Sequence, residues 1–229
     1  MRVVSLVPSS TETLLALGVE VVACTRFCEQ PGRRQVGGTK NPDIAAIVDL
    51  APDLVVMDRE ENRLEDHDSL LRRGVPVWAS DVRSVEDAMA VVAALAERTG
   101  RPVPTASLPT VPAPRARRTA FVPIWRRPWM TIGPGTYGAS LLAFLGVDLA
   151  TADIAGDYPT VELDDLATRT PDLVLVPSEP YEFSEAHLDE VRSVVPRATV
   201  LRIDGQDLFW WGVRTPGAIE RLGAALATG

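Results

Sequence analysis

The hexapeptide Pro52-Asp53-Leu54-Val55-Val56-Met57 returns late in the chain as Pro171-Asp172-Leu173-Val174-Leu175-Val176. The eighth residue after each proline is a glutamate, Glu60 in the first half and Glu179 in the second. A second echo precedes it in each half, Leu14-Leu15-Ala16-Leu17-Gly18-Val19 and Leu142-Ala143-Phe144-Leu145-Gly146-Val147. Two matches in the same order imply two similar lobes joined by a helix and a stiff connector. Few folds accommodate such a chain.

Each lobe reads as strand, loop, helix, repeated. Val3–Val7 is a β-branched run ended by Pro8, and Ser9-Ser10-Thr11-Glu12 supplies N-cap candidates for a helix over Thr13–Leu17 that Gly18 closes. Short strands are expected at Val21–Ala23, Gln35–Gly37 and Val75–Ala79. Helices are expected from Pro42 and over Asn62–Arg73. Leu54–Met57 is continuously apolar, as in a parallel strand covered on both faces. Val85–Arg98 contains neither Gly nor Pro and reads as one unbroken helix. After it, Arg101–Pro114 carries prolines at 102, 104, 109, 112 and 114, an extended connector. The expected class is α/β with mainly parallel sheets. The expected organisation is an N-terminal lobe 1–83, a bridging helix and connector 84–118, and a C-terminal lobe 119–229.

Composition narrows the function. The 229 residues are 46% hydrophobic, and 23 Lys and Arg against 31 Asp and Glu leave a net charge of −8. That balance argues against a nucleic-acid partner, and Arg115, Arg117 and Arg118 read as solvated connector charge. No apolar run reaches the roughly 18–20 residues that span a bilayer, so the chain is not expected to be integral to a membrane. The opening Met1-Arg2-Val3-Val4-Ser5-Leu6-Val7-Pro8 is too short for a signal-peptide core and reads as a strand. The protein is then cytoplasmic if Met1 is the native start, and extracytoplasmic if an export signal has been removed. Cys24 and Cys28 form no disulfide framework. HExxH, CxxC, GxSxG and GxxxxGK strings are absent, and no acid–base or nucleophile constellation emerges, so no catalytic residue is assigned. A monomer is expected.

In open parallel sheets, ligands sit beyond the carboxyl ends of the strands. The loops there hold Ser9, Ser10, Thr11, Phe27, Cys28, Lys40, Glu60, Glu61 and Asn62 in the first lobe. In the second they hold Trp125, Tyr137, Glu179, Tyr181, Phe183, Trp210 and Trp211. Of 13 aromatic residues only Phe27 and Trp78 precede the connector. Rings in loops suggest the wall of a flat or bulky ligand, or else a second core. At least one of Trp210 and Trp211 should be exposed. Ser9, Ser10 and Thr11 either meet a polar ligand group at a helix N-terminus or simply cap it. Glu60, Glu61 and Asn62 either accept from ligand amides or cap the next helix. Cys28 reads as a weakly polar filler rather than a metal ligand, and His67 and His187 as solvated. A competing motif is Gly133-Pro134-Gly135-Thr136-Tyr137-Gly138, a GxGxxG string that would make the chain an NAD(P)-type dinucleotide-binding enzyme. An intracellular metal-chelate carrier or scaffold is a further alternative.

The strings MRVVSLVPSSTETLLALG, FCEQP with VGGTKNPDI, VVMDREENRLED, IWRRPWMTIG, VPSEPYEF and DLFWW resemble the helical-backbone substrate-binding proteins of ABC importers, nearest to the cobalamin-type receptors. The resemblance implies a non-enzymatic protein holding cobalamin, haem or a ferric siderophore between two α/β lobes joined by one rigid helix. It further implies an importer permease dimer as partner, met by one glutamate from each lobe. The candidates are Glu60, Glu61 or Glu65 in the first, and Glu182 or Glu185 in the second. The chain departs from the family in its Pro-rich connector, in lacking an export signal or lipid-anchor cysteine, and in Gln30, where relatives often carry histidine.

Overall fold

The computed structural model describes residues 1–105, 107–110 and 116–228. They form two compact units. The first is Met1–Val82, Glu86–Ala106 and Trp211–Arg214, and the second is Arg83–Val85, Ser107–Trp210 and Thr215–Gly229.

In chain order the first elements are β1 (Arg2–Ser5), α1 (Pro8–Ala16), β2 (Glu20–Cys24), a 3-10 turn (Arg26–Cys28), β3 (Arg34–Gln35), α2 (Ile44–Asp49), β4 (Leu54–Asp58), α3 (Leu64–Arg72), β5 (Val77–Ser80) and α4 (Val85–Arg98). The strands make one parallel sheet in the order β3-β2-β1-β4-β5. All five residues of β4 are buried, as its unbroken apolar run requires. Val4, Leu6, Val55, Met57 and Leu70 anchor the core of this unit.

The second series is β6 (Arg118–Phe121), β7 (Pro123–Trp125), β8 (Met130–Thr131), α5 (Tyr137–Phe144), β9 (Val147–Leu149), a 3-10 turn (Leu163–Asp165), α6 (Leu166–Arg169), β10 (Leu173–Pro177), α7 (Glu185–Val194), β11 (Thr199–Ile203), α8 (Gly205–Phe209) and α9 (Thr215–Thr228). Its main sheet is parallel, β11-β10-β6-β9, and β7 pairs with β8 as a separate antiparallel ribbon. Phe121, Val174, Val176, Leu188 and Val191 centre its core. Among the described residues no helix is long and apolar enough to cross a membrane.

The internal echo has a physical cause. The Asp53 carboxylate accepts the Arg2 N–H at 2.7 Å, and the Asp172 carboxylate accepts the Thr119 N–H at 2.7 Å. Each aspartate thus satisfies the backbone at the start of its unit's central strand, β1 or β6. The other echo is a helix C-terminus. Gly18 and Gly146 take φ of +70° and +79°, and their N–H groups close on the Leu15 and Ala143 carbonyls.

Several boundaries differ from expectation. Helix α1 begins at Pro8 with Val7 as its N-cap, so Ser9–Thr11 lie inside the helix rather than capping it. The missing N–H of Pro8 suits the first helical turn. Helix α2 starts at Ile44 rather than Pro42, and Asp43 caps it by accepting the Ala46 N–H. Of the connector, 106 and 111–115 (which include Pro112, Pro114 and Arg115) lie outside the described residues. Arg117 is not free connector charge, because its guanidinium pairs with Asp148 at 2.6 Å. Arg118 is the first residue of β6, and its guanidinium donates to the Leu226 carbonyl.

Candidate ligand-binding site

In the first unit, most expected polar contacts are turned inward. Ser9, Ser10 and Thr11 are 4%, 0% and 0% exposed. The Ser9 hydroxyl accepts the Trp211 N–H at 3.2 Å, and the Thr11 hydroxyl lies 2.9 Å from the Val7 carbonyl and 3.2 Å from Cys28 Sγ. Ser9 and Thr11 therefore hold α1 to its surroundings, and the Ser10 hydroxyl is buried without a hydrogen-bond partner; none of the three offers a hydroxyl to solvent. Trp211 is itself buried, and Gly212 follows at φ +104° with room for no side chain, since a Cβ there would stand 2.2 Å from Thr13 Oγ1. The Arg214 guanidinium then pairs with Glu12 through two 2.9 Å hydrogen bonds.

Asn62 is likewise a structural clip. Its side-chain amide donates to the Leu6 and Thr39 carbonyls and its oxygen accepts the Asp58 N–H at 2.8 Å, which leaves the amide little to give a ligand. The same bonds explain why α3 starts at Leu64, after Asn62. They sew the Gly37–Pro42 and Asp58–Asn62 loops together, and the Lys40 ammonium reinforces the seam by donating to the Glu60 carbonyl. Asp58 is buried beneath, its carboxylate accepting from Ser80 at 2.7 Å, and burial raises its pKa. What this unit presents outward is the Phe27 ring, 48% exposed, with the Arg26 guanidinium 4.7 Å from its centroid, and the exposed Lys40 and Glu60. Glu61 is half-buried.

In the second unit the rings form a connected array. Trp125 stands 46% exposed at the end of β7 and meets Tyr181 edge-to-face at 5.1 Å. Tyr181 packs on Phe183 at 4.8 Å, and Phe183 stacks parallel on Trp129 at 5.7 Å. Phe183 is only 2% exposed, so it is core beneath the array and not its surface. Trp129 was not among the expected site residues. The string Trp125-Arg126-Arg127-Pro128-Trp129 carried the signal, a tryptophan at each end of one tight loop. Arg126 lies 5.8 Å from the Trp129 centroid and pairs with Glu190 at 3.0 Å. His187 is not simply solvated: its Nδ1 accepts the Ser184 N–H, and its ring touches Tyr181 and Phe183. His67 is half-buried beside Asp68.

Trp210 is half-buried, and its indole N–H donates to the Glu179 carboxylate at 2.8 Å. With Trp211 buried, neither ring of the pair is fully exposed. Tyr137 is 4% exposed, with its hydroxyl 2.9 Å from Thr215 Oγ1 and burial pushing its pKa up to about 12. It belongs to the core, not to a ligand surface.

The glycine string around Tyr137 is explained by packing. Its preceding strand β8 is antiparallel, not the parallel strand a dinucleotide fold supplies. A Cβ on Gly133 would lie 1.9 Å from the Gly156 carbonyl, and one on Gly135 2.8 Å from Asp157 Oδ1. The space that phosphates would need holds the chain itself. Thr136 caps α5 by accepting the Ala139 N–H.

The docking glutamates also divide. Glu185 pairs with Arg202 at 2.7 Å and Arg192 at 3.2 Å, and these partners hold its carboxyl below the usual range. It is therefore not an open charge. Glu65 is exposed with Arg63 at 3.6 Å, and Glu182 is exposed. Among the described residues no group of three His, Cys, Asp or Glu side chains could hold a metal ion.

Residues 3–103 match the family described as Periplasmic binding protein. Over those residues the chain is similar to the periplasmic binding proteins. The vitamin B12-binding protein of Salmonella paratyphi A is 26% identical over 190 residues, covering 76% of this chain and 71% of that one. The periplasmic vitamin B12-binding protein BtuF of Vibrio cholerae shares the fold with a TM-score of 0.77 at 18% identity, covering 99% of this chain and 96% of that chain. The periplasmic haem-binding protein BhuT, solved with two hemes, gives 0.78 at 21% identity over 98% of each chain. The relative and the structures named here are binding proteins, and none of them supports the dinucleotide reading of the glycine string.

Proposed function

We propose that this chain is the substrate-binding protein of an ABC importer and that its ligand is a cobalamin-type corrinoid. The observation that carries the reading is the Trp125–Tyr181 edge-to-face pair, with Trp125 nearly half exposed at the end of a strand. Such a ring offers a broad apolar face to a macrocycle, and a stacked aromatic anchor contributes strongly to binding. The outward polar groups suit an amide-bearing ligand. The exposed Glu60 carboxylate accepts hydrogen bonds from amides, whereas a propionate-bearing haem needs cations, of which Lys40 is the exposed one on the Gly37–Pro42 loop. The vitamin B12-binding relatives support the same ligand class.

Haem is the second reading, favoured by the fold's likeness to BhuT. Ligand capture then takes place outside the cytoplasm, with a permease dimer as partner, and Glu60 or Glu65 in the first unit and Glu182 in the second are exposed glutamates for docking it. Titrating the purified chain with cyanocobalamin and with haemin, read by tryptophan quenching and calorimetry, separates the readings. Saturable cyanocobalamin binding with a raised melting temperature is expected. Saturable haemin binding with no response to cyanocobalamin replaces the corrinoid by haem, and no response to either removes both.

A further inference from the structure

Each unit displays a short turn that carries arginine beside an exposed ring, and the two turns use that charge differently. In the first unit the Arg26 guanidinium lies over the Phe27 ring at 4.7 Å, and Cys28, which follows, is 2% exposed and presents nothing to a ligand. In the second unit, residues 126–129 form the turn between β7 and β8, with the exposed Trp125 at its foot. Arg126 turns back onto its own unit, paired with Glu190 and 5.8 Å from the Trp129 centroid. Arg127 does not. It is exposed, and among the described residues its guanidinium makes no hydrogen bond or ion pair. Its charge is felt at Glu190, but that carboxylate is already held by Arg126 through two hydrogen bonds.

An unspent arginine is out of keeping with the rest of this unit. Arg117, Arg169, Arg192, Arg202 and Arg221 are each paired with a carboxylate. Arg197 is also exposed and unpaired among the described residues, but it precedes β11 and so lies at the end of the parallel sheet opposite the carboxyl ends of its strands. Arg127 follows β6 and β7, and Tyr181, in edge contact with Trp125, follows the carboxyl end of β10. Open parallel sheets hold their ligands at that end. Arg127 also takes φ +70°, in the left-handed region, where an arginine is strained and glycine is not. No bond from its guanidinium to the described residues offsets that strain. Strain of this kind gathers where chains clamp ligands.

Resting on the corrinoid reading above, we propose that Arg127 is the anion-recognising residue of the ligand wall: its guanidinium grips the phosphodiester of a corrinoid's nucleotide loop while the macrocycle lies on Trp125. A guanidinium offers two parallel N–H donors to one phosphate, a geometry that no ammonium reproduces. The periphery of such a corrinoid is otherwise made of amides, and one free arginine in the turn matches one anion. Arg127 then sets specificity, separating complete cobalamins from corrinoids that lack the nucleotide loop.

The test is a cycle of two proteins and two ligands. The unaltered chain and Arg127→Gln are each titrated calorimetrically with cyanocobalamin and with dicyanocobinamide, which keeps the corrin ring and its amides but has no phosphodiester. Arg127→Gln should weaken cyanocobalamin about tenfold or more and leave cobinamide within about twofold. Arg127→Lys, a point charge without the fork, should fall between the two. Arg127→Gly, which suits φ +70°, should bind cyanocobalamin as weakly as Arg127→Gln while melting no lower than the unaltered chain. Equal losses for both ligands, or none for either, in a chain that binds cyanocobalamin when unaltered would overturn the role of Arg127 and leave the binding role standing. An unaltered chain that binds no cyanocobalamin would overturn both.

Discussion

The indole N–H of Trp210 and the carboxylate of Glu179 meet at 2.8 Å, joining the turn after β10 to the end of α8 within the second unit. Glu179 is fixed from the other side by Gly205, where an added Cβ would stand 2.7 Å from the Glu179 backbone nitrogen and 2.9 Å from its carbonyl oxygen. Backbone cannot give way as a side-chain tip can. Gly205→Ala should therefore destabilise the fold by about 2 kcal/mol or more. Glu179→Gln, which keeps an oxygen acceptor for Trp210, should cost less than Glu179→Ala, where a half-buried N–H loses its partner at about 1–2 kcal/mol. Urea unfolding followed by tryptophan emission ranks the three, and equal losses for Gln and Ala would discount the hydrogen bond.

The two repeated aspartates make a matched pair of experiments. Asp53→Ala strips an acceptor from the Arg2 N–H, and Asp172→Ala strips one from the Thr119 N–H, at the same 2.7 Å separation. Each should lower stability by about 1 kcal/mol, and the two losses should be similar in size. Asn at either position retains one acceptor oxygen and should recover much of the loss. Denaturant midpoints measure this directly, and a large inequality between the units would show that the echo is not one device used twice.

Gly133→Ala distinguishes packing from phosphate binding in the glycine-rich loop. With a Cβ 1.9 Å from the Gly156 carbonyl, the loop must move, and Gly133 N can no longer donate to the Asp157 carbonyl at 2.8 Å. The expected outcome is a melting temperature lower by several degrees, from a loss of about 2 kcal/mol. NADH should leave the melting temperature of the unaltered chain where it was. A nucleotide-dependent rise would restore the dinucleotide reading.

Trp125 and Phe183 belong to one aromatic array but should behave oppositely. Trp125 is 46% exposed and Phe183 2%. Trp125→Ala should weaken ligand binding by about 1–3 kcal/mol while changing stability little. Phe183→Ala empties the space beside Trp129 and Val176 and should cost about 3–5 kcal/mol of stability. Calorimetric titration paired with thermal melts separates the two. A Trp125→Ala chain that unfolds early but binds normally would move the ligand elsewhere.

The parts of this molecule legible in its sequence are those governed by local chemistry. The Pro-Asp-Leu-Val repeat marks buried parallel strands because four apolar residues follow an aspartate that satisfies a neighbouring strand's N–H. Helix α4 runs over Val85–Arg98 as its lack of Gly and Pro implies. Burial of individual side chains was not legible, because it is decided by distant partners. Ser9 is taken by Trp211, and Asn62 is taken by Leu6 and Thr39. Tyr137 looks like a loop ring after its glycines but is the first residue of α5, facing Thr215. The adjacent Trp210 and Trp211 fall in different compact units, a division that no short sequence window contains.

Acid sensitivity offers a test of what holds the aromatic array. Arg126 pairs with Glu190 and lies over Trp129, which stacks on Phe183. The Arg126 guanidinium, by its hydrogen bond first, holds the Glu190 carboxyl below its ordinary value. A carboxyl whose pKa is lower folded than unfolded adds stability above the unfolded value, about 4.3 for Glu, and loses it as pH falls through the folded one. Glu190→Gln should therefore melt below the unaltered chain at pH 7, by a small margin because the pair is partly exposed. The gap should close as pH drops under about 4, where the native glutamate is itself becoming neutral. It should also narrow in high salt. A gap that persists unchanged to pH 3 would mean that Glu190 acts by filling space and not by charge, and Arg126 would then owe its place over Trp129 to packing alone.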